Sequence, residues 1–287
     1  SVCDSLVTDE EGQAVVGNEV HITLINLRNH RTENLMGNKT SVLGRNSPTQ
    51  VVKEELVEDR DPSLARVVST AGTDPEYTKN IAGLKLLPIG SAFYTSSGAL
   101  KKVGITGIIH AAIGSISREG KGLTPTLSSV SNCVKNSIIL AQRNFHSKVA
   151  IPFIGGMIFL QRTGLDPDVL ARGVIRSALD NKGRILKVSL VTFGEEHTTL
   201  FQNILREFLA DPQYSEHVNS IEVCPGDITK FETHGCDAIV NAANIEGRFF
   251  GGVSGAIALA SENSAAIDRE AAKIVNGYIG AYLSQHA

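Results

Sequence analysis

The sequence predicts an α/β protein: a three-layer α/β/α sandwich around a mostly parallel mixed sheet. Three observations predict it. From residue 85 onward, short apolar runs rich in β-branched residues recur; helical patterns with recognisable caps separate them; and the runs are apolar throughout instead of alternating. Strands that read this way are covered on both faces, and strands separated by helices pair in parallel.

Taken in order, "EVHITLINLR" (19–28) alternates as a strand, whereas the polar, aperiodic stretch that follows it reads as a long connection. Residues 51–72 are expected to supply one or two helical turns around Pro62. Residues 1–84 therefore read as an N-terminal extension or small subdomain, and 85–287 as the α/β domain. Strands are expected at 90–96, 105–112, 147–154 and 185–193, with helices at 126–144 and 166–183. The second helix has Asp166 as N-cap, Pro167 at its first position and Gly183 as its stop. A helix over "EEHTTLFQNILREFLADP" follows, then strands at 220–227 and 236–243, and a last helix from about Ala265.

Composition narrows the function classes. With 287 residues, 42% of them hydrophobic, the chain has ample core material. A formal charge of −3 provides no overall basic field, so non-specific attraction to a phosphate backbone is not favoured. Cys3, Cys133, Cys224 and Cys236 lack paired spacing, signal no zinc site or disulfide framework, and are expected as free thiols in a cytoplasmic or other reducing intracellular compartment. No apolar run is long enough to cross a bilayer. No G-x-G-x-x-G with a downstream acid follows an early strand, which disfavours a dinucleotide-dependent dehydrogenase.

Open α/β sheets bind ligands beyond the carboxyl ends of their strands, and four segments stand there. In "PGDIT", Asp227 either caps its own turn or accepts from the exocyclic amine of a purine, with Ile228 beside it. In "DAIVNAANIEGRFFGGVSGAI", Asn241 and Asn244 end a strand with amides suited either to a turn or to a sugar hydroxyl. Gly251, Gly252 and Gly255, around Val253 and Ser254, then open a helix with bare backbone that a phosphate or ribose can approach. In "PFIGGMIFLQ", Gly155 and Gly156, followed by Met157, Ile158 and Phe159, form either a plain turn or an anion nest. Phe193, in "VTFGEE", either stacks on an adenine or packs in the core.

Together, "IEVCPGDITKFETHGCDAIVNAANIEGRFFGGVSGAI" resembles the first half of a macro domain, the ADP-ribose-binding α/β/α module. Residues 90–193, with "GSAFYTSSGAL", "IIHAAIG", "AIPFIGGMIF" and "VSLVTF", resemble its second half. The halves stand in reversed order. One explanation is a circularly permuted domain in which 219–287 complete the sheet begun by 85–215, which we expect. The other is a tandem array whose divergent first half lies in residues 18–84.

The resemblance implies that Asp227 and Ile228 bind adenine and that Asn241 and Asn244 meet the distal ribose. It places the backbone from Gly251 to Ser254 against that ribose and a phosphate, and Gly155 to Phe159 around the diphosphate. It implies ADP-ribose or an ADP-ribosylated protein as partner, with no cofactor or metal. The implied activity is removal of ADP-ribose from modified proteins, with Asn241 and Ser254 at the catalytic position. Non-catalytic recognition of ADP-ribose, poly(ADP-ribose) or RNA is the alternative. Ser254 stands where some macro-domain hydrolases carry an aspartate, and a serine does not supply general-base assistance near neutral pH. Glu246 is either a substitute base or a solvated loop residue. Met157 stands where the family usually has glycine.

Overall fold

The computed structural model describes residues 7–8, 14–15, 25–26, 31–32, 66–69, 87–114, 125–156, 160, 164–249 and 251–286, with side chains to 280. The chain divides into two units, Ser1–Arg60 and Asp61–Ala287. Within the first, Val7–Thr8 pairs with Ala14–Val15, and Ile25–Asn26 with Arg31–Thr32, both antiparallel. The rest of the strand expected at 19–28, and the helical turns expected around Pro62, lie outside the described residues.

The second unit is built on seven strands: β1 (Val67–Val68), β2 (Ala92–Ser96), β3 (Gly107–Gly114), β4 (Lys148–Pro152), β5 (Lys187–Thr192), β6 (Ile221–Pro225) and β7 (Ala238–Asn244). Their order in the sheet is β6-β5-β4-β7-β3-β2-β1. The five strands from β6 to β3 are parallel; β2 and β1 run antiparallel at one edge. The edge strand Val67–Val68 starts upstream of residue 85, so the sheet draws on sequence before that point.

The helices are α1 (Leu127–Arg143), α2 (Pro167–Asn181), α3 (Glu195–Ala210), the single turn α4 (Phe231–His234), α5 (Gly252–Ala260) and α6 (Ser264–His286). Their starts are legible in local chemistry. Thr126 and Ser129 exchange side-chain and backbone hydrogen bonds of 3.1 and 2.8 Å ahead of α1. Asp166 accepts from the Asp168 amide at 2.8 Å ahead of α2, with Pro167 at the first position. α1, α2 and α3 bury their apolar faces on one side of the sheet with Ile109, Ile113, Val149, Leu190 and Val240. On the other side Phe93 and Ile245 pack with Ile274 and Val275 of α6, and Ile108 and Ile239 with Ile257 of α5. The result is three layers, with helices on both faces of a sheet whose central strands are apolar on both sides.

β3 and β4 are consecutive strands of this parallel block, yet β7 lies between them. Asp237 fixes its entry. Its carbonyl accepts from the Thr106 amide at 2.8 Å, and its carboxylate accepts from the Ser147 and Lys148 amides at 3.3 and 3.0 Å. One residue thus ties β7 to the start of both neighbours. Above it, β7 pairs with β3 from Ala238↔Gly107 to Asn244↔Gly114.

Beside this clamp, the Tyr94 hydroxyl meets His146 Nε2 at 3.1 Å directly over Gly107. A Cβ at Gly107 would fall on the Tyr94 hydroxyl and lie 2.7 Å from His146 Nε2, so this close approach requires glycine. Gly107→Ala is expected to lower stability by about 1–3 kcal/mol, the usual cost of overpacking a closed site, measured as a shift in urea midpoint.

Candidate functional site

The parallel strands end together on one edge of the sheet, and four loops leave from there. β6 leads into Asp227 and Ile228, β5 into Phe193, β4 into Gly155 and Gly156, and β7 into Asn244 and the approach to α5. β7 pairs with β3 along its full length but with β4 only at Ala238↔Val149 and Ile239↔Ala150. Beyond those pairs the β7 and β4 ladder stops, so the carboxyl halves of these two strands are not paired with each other.

Asn241 lies in that stretch of β7, fully buried, opposite His110 of β3. The hydrogen bonds around it can be assigned outward from a backbone carbonyl. The Thr95 hydroxyl donates to Ser96 O at 3.1 Å, so its oxygen accepts from His110 Nε2 at 2.8 Å. His110 Nδ1 is then bare and accepts from Asn241 Nδ2 at 3.1 Å; the same amide donates to Ser254 Oγ at 3.3 Å. Ser254 is in the first turn of α5, so the network runs from β2 through β3 and β7 to the opening of that helix. Asn241 Oδ1 is buried and has no partner among the described residues. A buried acceptor left without a donor costs about 1–3 kcal/mol.

His110 carries the electrostatics of this network. Burial pushes its imidazole down to about 3, with the Glu270 charge pulling the other way. The ring is neutral at physiological pH, as the assigned tautomer requires. It stacks on Phe93 at 4.6 Å and is flanked by Phe249 at 5.4 Å.

α5 opens without a side-chain cap. Gly251 is extended with φ −71° and ψ −175°, Gly252 takes φ +63°, and a Cβ on either would meet nothing within 4 Å. Gly251, Gly252 and Val253 are exposed, whereas Ser254 is 4% exposed beneath them. No side chain caps the first-turn amides of α5, and helix starts left bare in this way receive anions.

The remaining sequence candidates divide. Asp227 accepts from the Thr229 amide and hydroxyl, both at 2.8 Å, and so closes its own turn; Ile228 is 4% exposed in the core. Asn244 Oδ1 accepts from the Glu246 and Arg248 amides at 3.1 and 3.0 Å and shapes the loop after β7, with Glu246 exposed. Gly155 faces Val130 and Leu170, and the Gly156 amide donates to Phe153 O at 3.2 Å, so the β4 bend is a packed turn. Gly255, one turn into α5, donates to Gly251 O at 3.4 Å. Phe193 is 77% exposed at the edge and is not core. Met157, Ile158 and Phe159 lie outside the described residues.

His110 and Thr95 are the site members that motif reasoning missed. The available signal was a polar residue interrupting the apolar run "GIIHAAIG", although its partner stands 131 positions away. His197, which bonds Phe193 O at 3.2 Å and packs edge-on against Phe153, was likewise hidden in a helix pattern. Among the described residues no group of three or more His, Cys, Asp and Glu is placed to hold a metal ion. No described helix is long and apolar enough to cross a membrane. Cys133, Cys224 and Cys236 are buried free thiols, and Cys3 lies outside the described residues.

The fold and site define an α/β protein with an uncapped, glycine-opened helix beside a central amide-bearing strand. No protein-family model matches the chain, and no curated protein matches it.

The buried network carries a pH dependence of fixed sign. Below the ordinary value of 6.5 the unfolded chain binds a proton at His110 that the folded chain refuses, until pH nears about 3. This contribution to stability is whole above 6.5 and drains as pH falls through that window. His146 and His234 are also pushed down by burial and act in the same direction. His110→Gln should therefore remove about 2 kcal/mol of the stability difference between about pH 7 and about pH 5, read from urea unfolding at both values.

Proposed function

We propose that the chain binds ADP-ribose along the carboxyl edge of its sheet, as a macro-like module in circularly permuted order. The observation that carries this reading is the position of β7 between β3 and β4. It brings the late asparagine and glycine element beside strands that begin the pairing 131 and 89 residues earlier, at Gly107 and Val149. In this reading the α5 opening takes a phosphate and the ribose next to it, and Asn241 sets that helix through Ser254. The ligand then runs across β4 and β5 toward Asp227, with Phe193 as a stacking surface for adenine. Three strand spacings separate β7 from β6, about 14 Å at about 4.8 Å each, a span suited to a nucleoside diphosphate sugar and longer than a mononucleotide needs. Main-chain amides at a helix start explain how a chain of net charge −3 holds a diphosphate without a cluster of basic side chains.

Binding is favoured over turnover by what stands at the α5 opening. Ser254, at the position of the aspartate in some macro-domain hydrolases, is buried and accepts the Asn241 amide. Asn241 itself is enclosed. Both act by positioning the helix, and hydrolysis would rest on water oriented by the ligand's own phosphate.

Calorimetric titration with ADP-ribose tests the reading. Gly251 has an ordinary φ and open space at its Cβ, so Gly251→Asp is tolerated by the fold and supplies the missing helix cap. We expect this variant to keep or raise the melting temperature and to lose ADP-ribose binding, because its carboxylate occupies and repels the anion position. No heat with the parent chain, or undiminished binding by Gly251→Asp, would reject the site. Release of label from a mono-ADP-ribosylated protein, lost in Asn241→Ala, would instead place the chain among hydrolases.

A further inference from the structure

The sheet ends laterally at β6. This strand pairs with β5 in parallel and in unbroken register, from Ile221↔Val188 to Pro225↔Thr192, and among the described residues no strand pairs with its other side. The direction of its backbone groups follows from the two ends of that ladder. The Val188 amide donates to Ser220 O at 2.8 Å, and the Gly226 amide donates to Thr192 O at 2.9 Å. Backbone groups of successive strand residues point to opposite sides, so the even-numbered residues address β5 and the odd-numbered ones point away from it. The N–H and C=O of Ile221 and Val223, and the C=O of Pro225, are therefore directed outward. Edge strands are commonly blunted by lysine, a bulge or proline. Here proline does so only at the last position, where its ring replaces an outward N–H. Ile221 and Val223 keep their donors and carry apolar side chains.

Beside the same edge, α3 and β6 leave a groove of about 540 Å³, lined by Gln202, Leu205, Arg206 and Leu209 of α3, Val223 of β6, and Val218 of the turn before it. Val218 is 58% exposed, and Leu209 and Val223 are half-buried. Arg206 is the only charged side chain in the lining, and it is exposed. It donates to Asn203 Oδ1 at 3.1 Å and forms no ion pair among the described residues. Its neighbour Glu207 pairs with Arg172 of α2 at 2.7 Å, and Glu222 of β6 pairs with Lys187 at 2.6 Å.

We propose that this edge captures an extended peptide segment of a partner protein. The segment adds as a further strand beside β6, sets alternate apolar side chains into the groove under α3, and places a carboxylate against Arg206. Outward N–H and C=O groups on alternate residues form a pattern that another extended backbone matches, and pockets for every second side chain supply the selectivity. The acidic residue follows from a single cation in an otherwise uncharged groove. A second copy of the chain matches the surface less well, because two-fold pairing sets groove against groove, each with Arg206 as its only charge. One cation is too few to follow a nucleic-acid backbone. The surface is independent of the ADP-ribose reading, which uses none of the groove residues.

The test is fluorescence anisotropy of the full chain with two labelled heptapeptides, Thr-Val-Thr-Asp-Thr-Val-Thr and its counterpart with lysine in place of aspartate. We expect the acidic peptide to bind about fivefold tighter, the worth of one exposed ion pair. Arg206→Glu should reverse that order and leave ADP-ribose titrations unchanged. Val223→Pro removes an outward donor that no described group uses, and should weaken both peptides about tenfold. The charge reversal decides the matter even where Val223→Pro does not fold. The proposal is overturned if neither peptide binds, if Arg206→Glu keeps the parent's order, or if folded Val223→Pro binds as the parent does. A parent chain that sediments as a dimer, and as a monomer once Val223→Pro is introduced, would also overturn it by making a second copy the occupant.

Discussion

The architecture depends on the pairing of β7 with β3 and β4, held at its base by Asp237. A parallel strand is stable only with its backbone groups paired and both faces covered. Without β7, β3 and β4 would each present an unpaired edge at the centre of the sheet. Asp237 addresses both neighbours from one residue: the main chain satisfies β3, and the carboxylate satisfies two amides at the start of β4. Everything at the far end of β7, including the buried amide and the α5 opening, takes its position from this anchor.

From this anchor the ladder to β3 continues while the ladder to β4 stops after Ile239. The asymmetry has opposite effects on the two sides. Toward β3, Asn241, His110 and Thr95 form a buried chain of hydrogen bonds in which each donor and acceptor follows from the one before. Toward β4, the paired ladder ends after Ile239.

Most of the elements were legible because their signals are local. The Asp166 and Pro167 start of α2 and its Gly183 stop, the apolar run of β3 and the glycine opening of α5 each declare themselves within a few residues. The single turn α4 and the 3-10 segment Gly98–Val103 were not, since neither is long enough to establish a period. The site was half legible. Asn241 and the α5 glycines form a contiguous motif, whereas His110 gains its meaning only from register with a strand 131 residues away. Asp227, Asn244 and the Gly155 and Gly156 bend show the limit of residue-type reasoning. Their side chains or amides close local turns, so their contribution to a ligand would come through the shape they give the edge. Phe193 shows the converse, since an aromatic at a strand end reads as core until its exposure is known.

The insertion of β7 also constrains the order in which the molecule can assemble. During synthesis β3, β4, β5 and β6 all emerge before the strand that must separate the first two, so the centre of the sheet stays vacant until residue 244 is available. Contacts of such long sequence separation close slowly. Two adjacent apolar edges left waiting are a template for premature pairing with each other or with another nascent chain. A polypeptide arranged in this way has a reason to need chaperone protection until β7 has been synthesised.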